Sequence, residues 1–180
     1  VLEKKKIFNN LNYNKPKVSI KILGNIVLDH LIPYIEYNLS ACHHNVKCEV
    51  ENYDNIIQDL LNIKKEADVI IIFFELTSYI EKIINKKDNF KTNEIKEFSE
   101  NIKNQLKLIF SSVDHDKLVI FNNFNINIFE DNPISINKLN NLCEELNKFL
   151  KTNAPKNFKL VDNSSLLNEF KISKCINLDL

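Results

Sequence analysis

The chain has 180 residues, 44% of them apolar and 27% charged, enough for one globular domain around one core. Its 24 cationic and 24 anionic side chains balance, and every cation is a lysine, so the arginine forks that read phosphate and guanine are absent and no nucleic-acid partner is expected. Gly24 is the only glycine, which excludes a Walker A loop, a G-x-G-x-x-G dinucleotide turn and a G-x-S-x-G nucleophile elbow.

Residues 1–16 are rich in Lys and Asn and read as an arm or a short helix outside the domain, with 17–180 as a single α/β domain. No Met opens the chain, which reads as a removed initiator or a fragment. VSIKIL (18–23) is a β-branched run ending at Gly24, and 28–41 places Leu28, Leu31, Ile35 and Leu39 at helical steps. Asp29 suits a first turn, but Pro33 is tolerated only within one, so the helix starts at 28 or nearer Ile32. VKCEV (46–50) alternates as a half-buried strand near a sheet edge. Residues 52–63 read as a helix with Ile56, Ile57, Leu60 and Leu61 inward. DVIIIFF (68–74) is apolar throughout, the pattern of a central parallel strand covered on both faces.

After a long insertion at 75–92, residues 93–113 repeat Ile95, Phe98, Ile102, Leu106, Ile109 and Val113 with helical period. A strand at 117–123, a helix at 134–152 with Leu139, Leu142, Cys143, Leu146 and Leu150 on one stripe, and a strand at 158–162 follow. Ser164 is placed to cap a last helix. Five strands alternating with helices predict a three-layer αβα sandwich on a five-stranded parallel sheet, with right-handed crossovers. The longest apolar run is too short to cross a bilayer and no apolar leader precedes it, so a membrane partner is not expected. Four cysteines without a C-x-x-C pair suit a reducing cytoplasm.

Open sheets of this kind bind ligands outside the carboxyl ends of their strands. The pocket candidates are therefore the exits: Gly24 and Asn25; Glu75, Thr77 and Ser78; Asn122 and Asn123; and Asp162. Gly24 would let a ligand oxygen approach backbone N–H groups, or it answers a purely conformational need. Ile26 sits where a nucleophile would have to project, so covalent catalysis at this turn is excluded. Asn122 and Asn123 could donate to a ligand or shape a turn. Glu75 reads as a cap rather than a base. Cys42, His43, His44 and Cys48 have metal-ligand chemistry, but Cys48 shares a strand face with Val46 and Val50, which turns its sulfur into the core; no metal site is expected. Asp114, His115 and Asp116 precede a strand, at the end opposite the exits, and read as a solvated turn.

Three segments, KILGNIVLDHLIPYIEY (21–37), VKCEVENYDNIIQDLL (46–61) and ADVIIIFFEL (67–76), resemble the N-terminal domain of FkbH-like proteins. The likeness rests on Gly24 and Asn25 after the first strand, on Leu31 through Glu36, and on Tyr53 through Leu61. KLVIFNNF (117–124), EELNKFL (144–150) and VDNSSLL (161–167) keep the family's order. The resemblance implies an SGNH-hydrolase-like, flavodoxin-like fold ahead of a haloacid-dehalogenase (HAD) phosphatase domain. It does not carry esterase activity with it. Gly24, Asn25 and Ile26 stand where that fold has its G-D-S turn, and Phe74 to Thr77 stand where it has G-x-N-D, so serine, glycine and oxyanion Asn are all missing. KCINLDL (174–180) resembles the strand entering the HAD motif, which would make Asp179 the phosphoryl acceptor; on the other reading Asp179 closes the SGNH-like domain. Such a phosphatase domain implies Mg²⁺, with no cofactor for the present residues. The implied role is to bind an acyl carrier protein or another biosynthetic enzyme during glyceryl-type acyl transfer or surface-polysaccharide assembly. An esterase with a rearranged site and a purely structural interaction module are the alternatives.

Overall fold

The computed structural model describes residues 17–42, 44–63, 66–76, 79–80, 92–125, 133–163 and 165. β1 (Lys17–Gly24) takes up the β-branched run and keeps Gly24 inside the strand. One 3-10 turn, Asp29–Leu31, leads into α1 (Ile32–Ala41). The helix thus starts at the later of the two expected positions, because Pro33 lacks the N–H that any later turn would need. β2 (Asn45–Val50), α2 (Ile56–Ile63), β3 (Val69–Phe73), α3 (Thr92–Ser112), β4 (Leu118–Asn122), α4 (Pro133–Asn153) and β5 (Phe158–Val161) follow. The expected last helix at 164–170, with Ser164 as its cap, lies outside the described residues except for Ser165.

The strands form one five-stranded sheet in the order β2-β1-β3-β4-β5. Parallel registers join Ile20 to Cys48, Ile22 to Ile71 and Ile71 to Ile120. Val119 N–H bonds Asn157 C=O and Asn123 N–H bonds Val161 C=O, a constant offset that makes β5 parallel as well. The chain steps one way from β1 to β2 and back past β1 to β3. Right-handed crossovers therefore put α1 and α2 on opposite faces, which gives the expected three layers.

The chain divides into two compact units. The first comprises 1–74, 107–121 and 155–159; the second comprises 75–106, 122–154 and 160–180. In the first, Ile20, Ile22, Leu28 and Cys48 are buried together, with Leu31, Ile35 and Leu39 packed against them. Phe110 meets Phe158 edge to face at 5.2 Å. In the second, Ile102 and Leu106 of α3 and Leu139, Leu142, Leu146 and Leu150 of α4 are buried, as their periodicity requires. Ser99 Oγ donates to Glu145 Oε1 at 2.9 Å, and Lys103 pairs with Glu145 and Glu100, so polar groups close the rim of these two helices.

The reading of 52–63 as one helix is corrected. Residues 52–55 are a loop, and α2 begins at Ile56. Asp54 takes a left-handed backbone conformation, φ 53°, and donates its N–H to Gly24 C=O at 3.0 Å. Asp59, not Leu61, faces inward: it is 2% exposed while Leu61 is 49% exposed. The strip Val69, Ile71 and Phe73 of β3 is half-buried, not covered on both faces, while Ile70 and Ile72 are buried.

Lys21 alternates with the buried Ile20 and Ile22, yet it is itself a buried residue. It is paired with Glu51 at 2.7 Å and Glu49 at 2.9 Å. Hydrogen bonding to Glu51 raises the Lys21 ammonium well above the usual lysine range. Hydrogen bonds from Lys47 first, and then from Lys21, lower the Glu49 carboxyl to about 2. A carboxylate with a depressed folded-state pKa contributes stability that is complete above its ordinary value of 4.5 and is lost as pH falls toward 2. Glu49→Gln should therefore cost stability at pH 7 and show a flatter loss between pH 4.5 and 2 than the parent chain. Urea midpoints at pH 7, 4.5, 3 and 2 measure this; parallel curves for the two proteins would contradict it.

Candidate functional site

The strand exits fall in both units, and each group is bonded within itself. At the exit of β1, Gly24 is buried, and a Cβ built on it would lie 2.6 Å from Leu28 Cδ1 and 2.8 Å from the Phe73 carbonyl oxygen. Its φ is not positive. The glycine is demanded by the close approach of β3 and Leu28, and the space beside its Cα is filled by the protein itself. Asn25 N–H bonds Phe73 C=O at 3.3 Å, and the residue is 1% exposed. The side chains this exit shows to solvent are aliphatic: Ile26 is 37% exposed and Val27 67% exposed.

The neighbouring exit, after β2, is built by Asp59. Its carboxylate accepts the Asn52 N–H at 2.9 Å, the Asn52 amide at 3.0 Å and the Asn55 amide at 3.2 Å. These bonds hold the loop that carries the exposed Tyr53 and the left-handed Asp54 against β1. Sequence reasoning missed Asp59 because periodicity places apolar residues inward and says nothing of a carboxylate that satisfies a loop. On the other side of β2, buried Glu36 of α1 accepts the Cys48 N–H at 3.0 Å, which occupies an open donor of an edge strand.

In the second unit the asparagines at the exit of β4 bond loop to loop. Asn123 Nδ2 donates to Asp162 Oδ1 at 2.7 Å, while Asn123 Oδ1 accepts the Asn163 N–H at 2.9 Å. Asn122 Nδ2 donates to the Asn123 carbonyl at 2.9 Å. Asp162 Oδ1 also accepts the Ser165 N–H at 3.2 Å, three residues on, which is capping geometry. Asn147 of α4 joins them: its Oδ1 accepts the Phe124 N–H at 2.7 Å and its Nδ2 donates to the Phe124 carbonyl at 2.8 Å. Asn147 borders the Leu146–Leu150 stripe, and that position was its one sequence signal. Glu75 is half-buried. Burial, with Glu75 adding to it, pushes the Cys143 thiol up to about 12 and makes it a poor nucleophile at neutral pH.

No protein-family model and no curated protein matches this chain. The structure resembles a solved one. That neighbour is the N-terminal part of the protein BF1531 from Bacteroides fragilis, which contains a phosphatase domain and was crystallised with Mg. The two share a TM-score of 0.69 and 14% sequence identity over 96% of this chain and 47% of that one. The likeness shows the fold, and the present chain spans about half the length of its neighbour.

Thr77, Ser78 and Asp179 lie outside the described residues, as does His43 of the Cys–His group. Of that group Cys48 is buried, and Cys42 and His44 are exposed. Among the described residues no three His, Cys, Asp or Glu side chains converge as metal ligands. Asp114, His115 and Asp116 are exposed in the turn between α3 and β4, where Asp114 C=O accepts the Lys117 N–H at 3.1 Å. Among the described residues no helix is long and apolar enough to cross a membrane.

Proposed function

We propose that this chain is a non-catalytic SGNH-like domain of an FkbH-like protein, and that it binds a carrier protein or a biosynthetic enzyme at its strand exits. The observation that carries this reading is the exit of β1. There the turn Gly24-Asn25-Ile26 holds no hydroxyl, thiol or carboxylate, the glycine is packed shut by Phe73 and Leu28, and Ile26 and Val27 are the side chains presented. An exposed aliphatic pair on a bonded scaffold suits docking of another surface and cannot form an acyl-enzyme. The hydrogen bonds among Asn123, Asp162 and Asn163 support the same view, since these candidate ligand groups fasten the loops of β4 and β5. The neighbour's phosphatase domain and its Mg support a longer protein in which a further domain performs phosphoryl chemistry.

The test is ester and phosphate hydrolysis by the purified chain, with p-nitrophenyl acetate and p-nitrophenyl phosphate plus Mg²⁺ as substrates. Turnover at the buffer rate is expected with both. Ester turnover that disappears in Ser78→Ala or Glu75→Gln would establish a rearranged esterase and end the non-catalytic reading.

A further inference from the structure

β2 stands at one end of the sheet, and among the described residues no strand pairs with its outer side. Glu51, the residue after β2, donates its N–H to Ile22 C=O of β1 at 2.9 Å. Backbone groups of successive strand residues address opposite sides, so Asn45, Lys47 and Glu49 turn theirs to β1 while Val46, Cys48 and Val50 turn theirs outward. The middle outward N–H, that of Cys48, is the one the Glu36 carboxylate of α1 accepts, at 3.0 Å. Glu36 is buried, and so is this hydrogen bond.

We propose that β2 is a self-complementary edge, and that Glu36 keeps it from pairing with β2 of a second copy of this chain. In an antiparallel pair about a two-fold axis at Cys48, each Val46 would oppose a Val50, each Lys47 a Glu49, and the two Cys48 residues each other. That register sets β-branched side chains and opposite charges face to face. It also places all three outward-turned residues in hydrogen-bonded positions, so each N–H would meet a carbonyl across the axis. The Cys48 N–H lies at the centre of this arrangement, and Glu36 fills the place that the second copy's carbonyl would take. Sheets commonly avoid edge-to-edge association by covering an edge with a helix or a charged side chain. Here α1 does both through one residue. The assignment is independent of the proposed function, because it concerns the edge of the sheet and not the strand exits.

The experiment is sedimentation equilibrium of the full chain and its variants under reducing conditions, with circular dichroism to establish that each is folded. Glu36→Ala should show about twice the mass of the parent chain as protein concentration rises. Glu36→Gln keeps a side-chain carbonyl to accept the Cys48 N–H and should keep the parent mass. Glu36→Ala combined with Val46→Pro removes an outward donor that β1 does not use, and should return to the parent mass. If Glu36→Ala does not fold, Glu36→Leu, which fills the space without an acceptor, takes its place. A folded Ala or Leu variant with the parent mass overturns the proposal. So does association that survives Val46→Pro, since it would use another surface, or association of Glu36→Gln as strong as that of Glu36→Ala.

Discussion

Gly24→Ala is expected to destabilise the protein by about 3 kcal/mol, near the upper end of what overpacking one methyl costs. The new Cβ would meet Leu28 Cδ1 at 2.6 Å and the Phe73 carbonyl oxygen at 2.8 Å. The leucine can rotate away; the carbonyl cannot, because β3 is held in register with β1 from Ile20–Val69 to Gly24–Phe73. Relief must come from parting the two strands at their exits, which also strains the Asn25 N–H bond to Phe73 C=O. For a chain of this length the loss corresponds to a fall in Tm of roughly 6–12 °C. Urea unfolding at constant m-value measures it, and a change below about 0.5 kcal/mol would mean that the strands have room to give. The result bears on function as well. A glycine kept for a ligand would tolerate alanine in the absence of that ligand, whereas a glycine kept for β3 would not.

The second large effect is expected at Asp59. Asp59→Ala removes the acceptor for three donors and leaves a hole where a 2% exposed side chain stood. Hydrogen bonds to a charged acceptor contribute about 1.5–3 kcal/mol each before their donors are rehydrated. Asn52 and Asn55 are exposed and can turn to water, so the net loss is about 2 kcal/mol and not the sum. Asp59→Asn retains one acceptor oxygen and should fall between. Hydrogen exchange gives the distinguishing readout: the amides of Asn52 and Asp54 should lose protection before those of β1 in Asp59→Ala. Uniform loss of protection across the first unit would show that Asp59 supports the core rather than the loop.

Both predictions concern how the exits of β1 and β2 are held, and at both the reasons differ from those that composition suggests. A lone glycine after a strand reads as a turn or as access for a ligand. In the structure it is the last residue of the strand, and packing against Phe73 and Leu28 requires it. Asn122 and Asn123 read equally as ligand donors or turn formers. Their bonds to Asp162, Asn163 and the Asn123 carbonyl show them holding loops. Glu36 read as one residue of a helical run, and only the neighbouring edge strand gives its carboxylate a partner at Cys48.

The sequence by itself determined the class of fold and nearly every element. Alternation of β-branched runs with periodic leucine and isoleucine stripes is a local signal, and burial enforces it wherever one face must leave water. It also determined that the first exit carries no nucleophile, because residue identity at 24–26 needs no coordinates. Tertiary structure alone decided the strand order, the loop at 52–55, the inward Asp59 and the reason for Gly24. The loop and the glycine depend on partners distant in sequence, Gly24 C=O for Asp54 and Phe73 for Gly24, while Asp59 turns inward to meet Asn52 and Asn55 of the loop just before its own helix. Apolar patterning says which face of an element avoids water. It does not say which carbonyl, carboxylate or strand will be waiting there, since hydrogen bonds and close approaches are set by geometry that only the assembled sheet supplies.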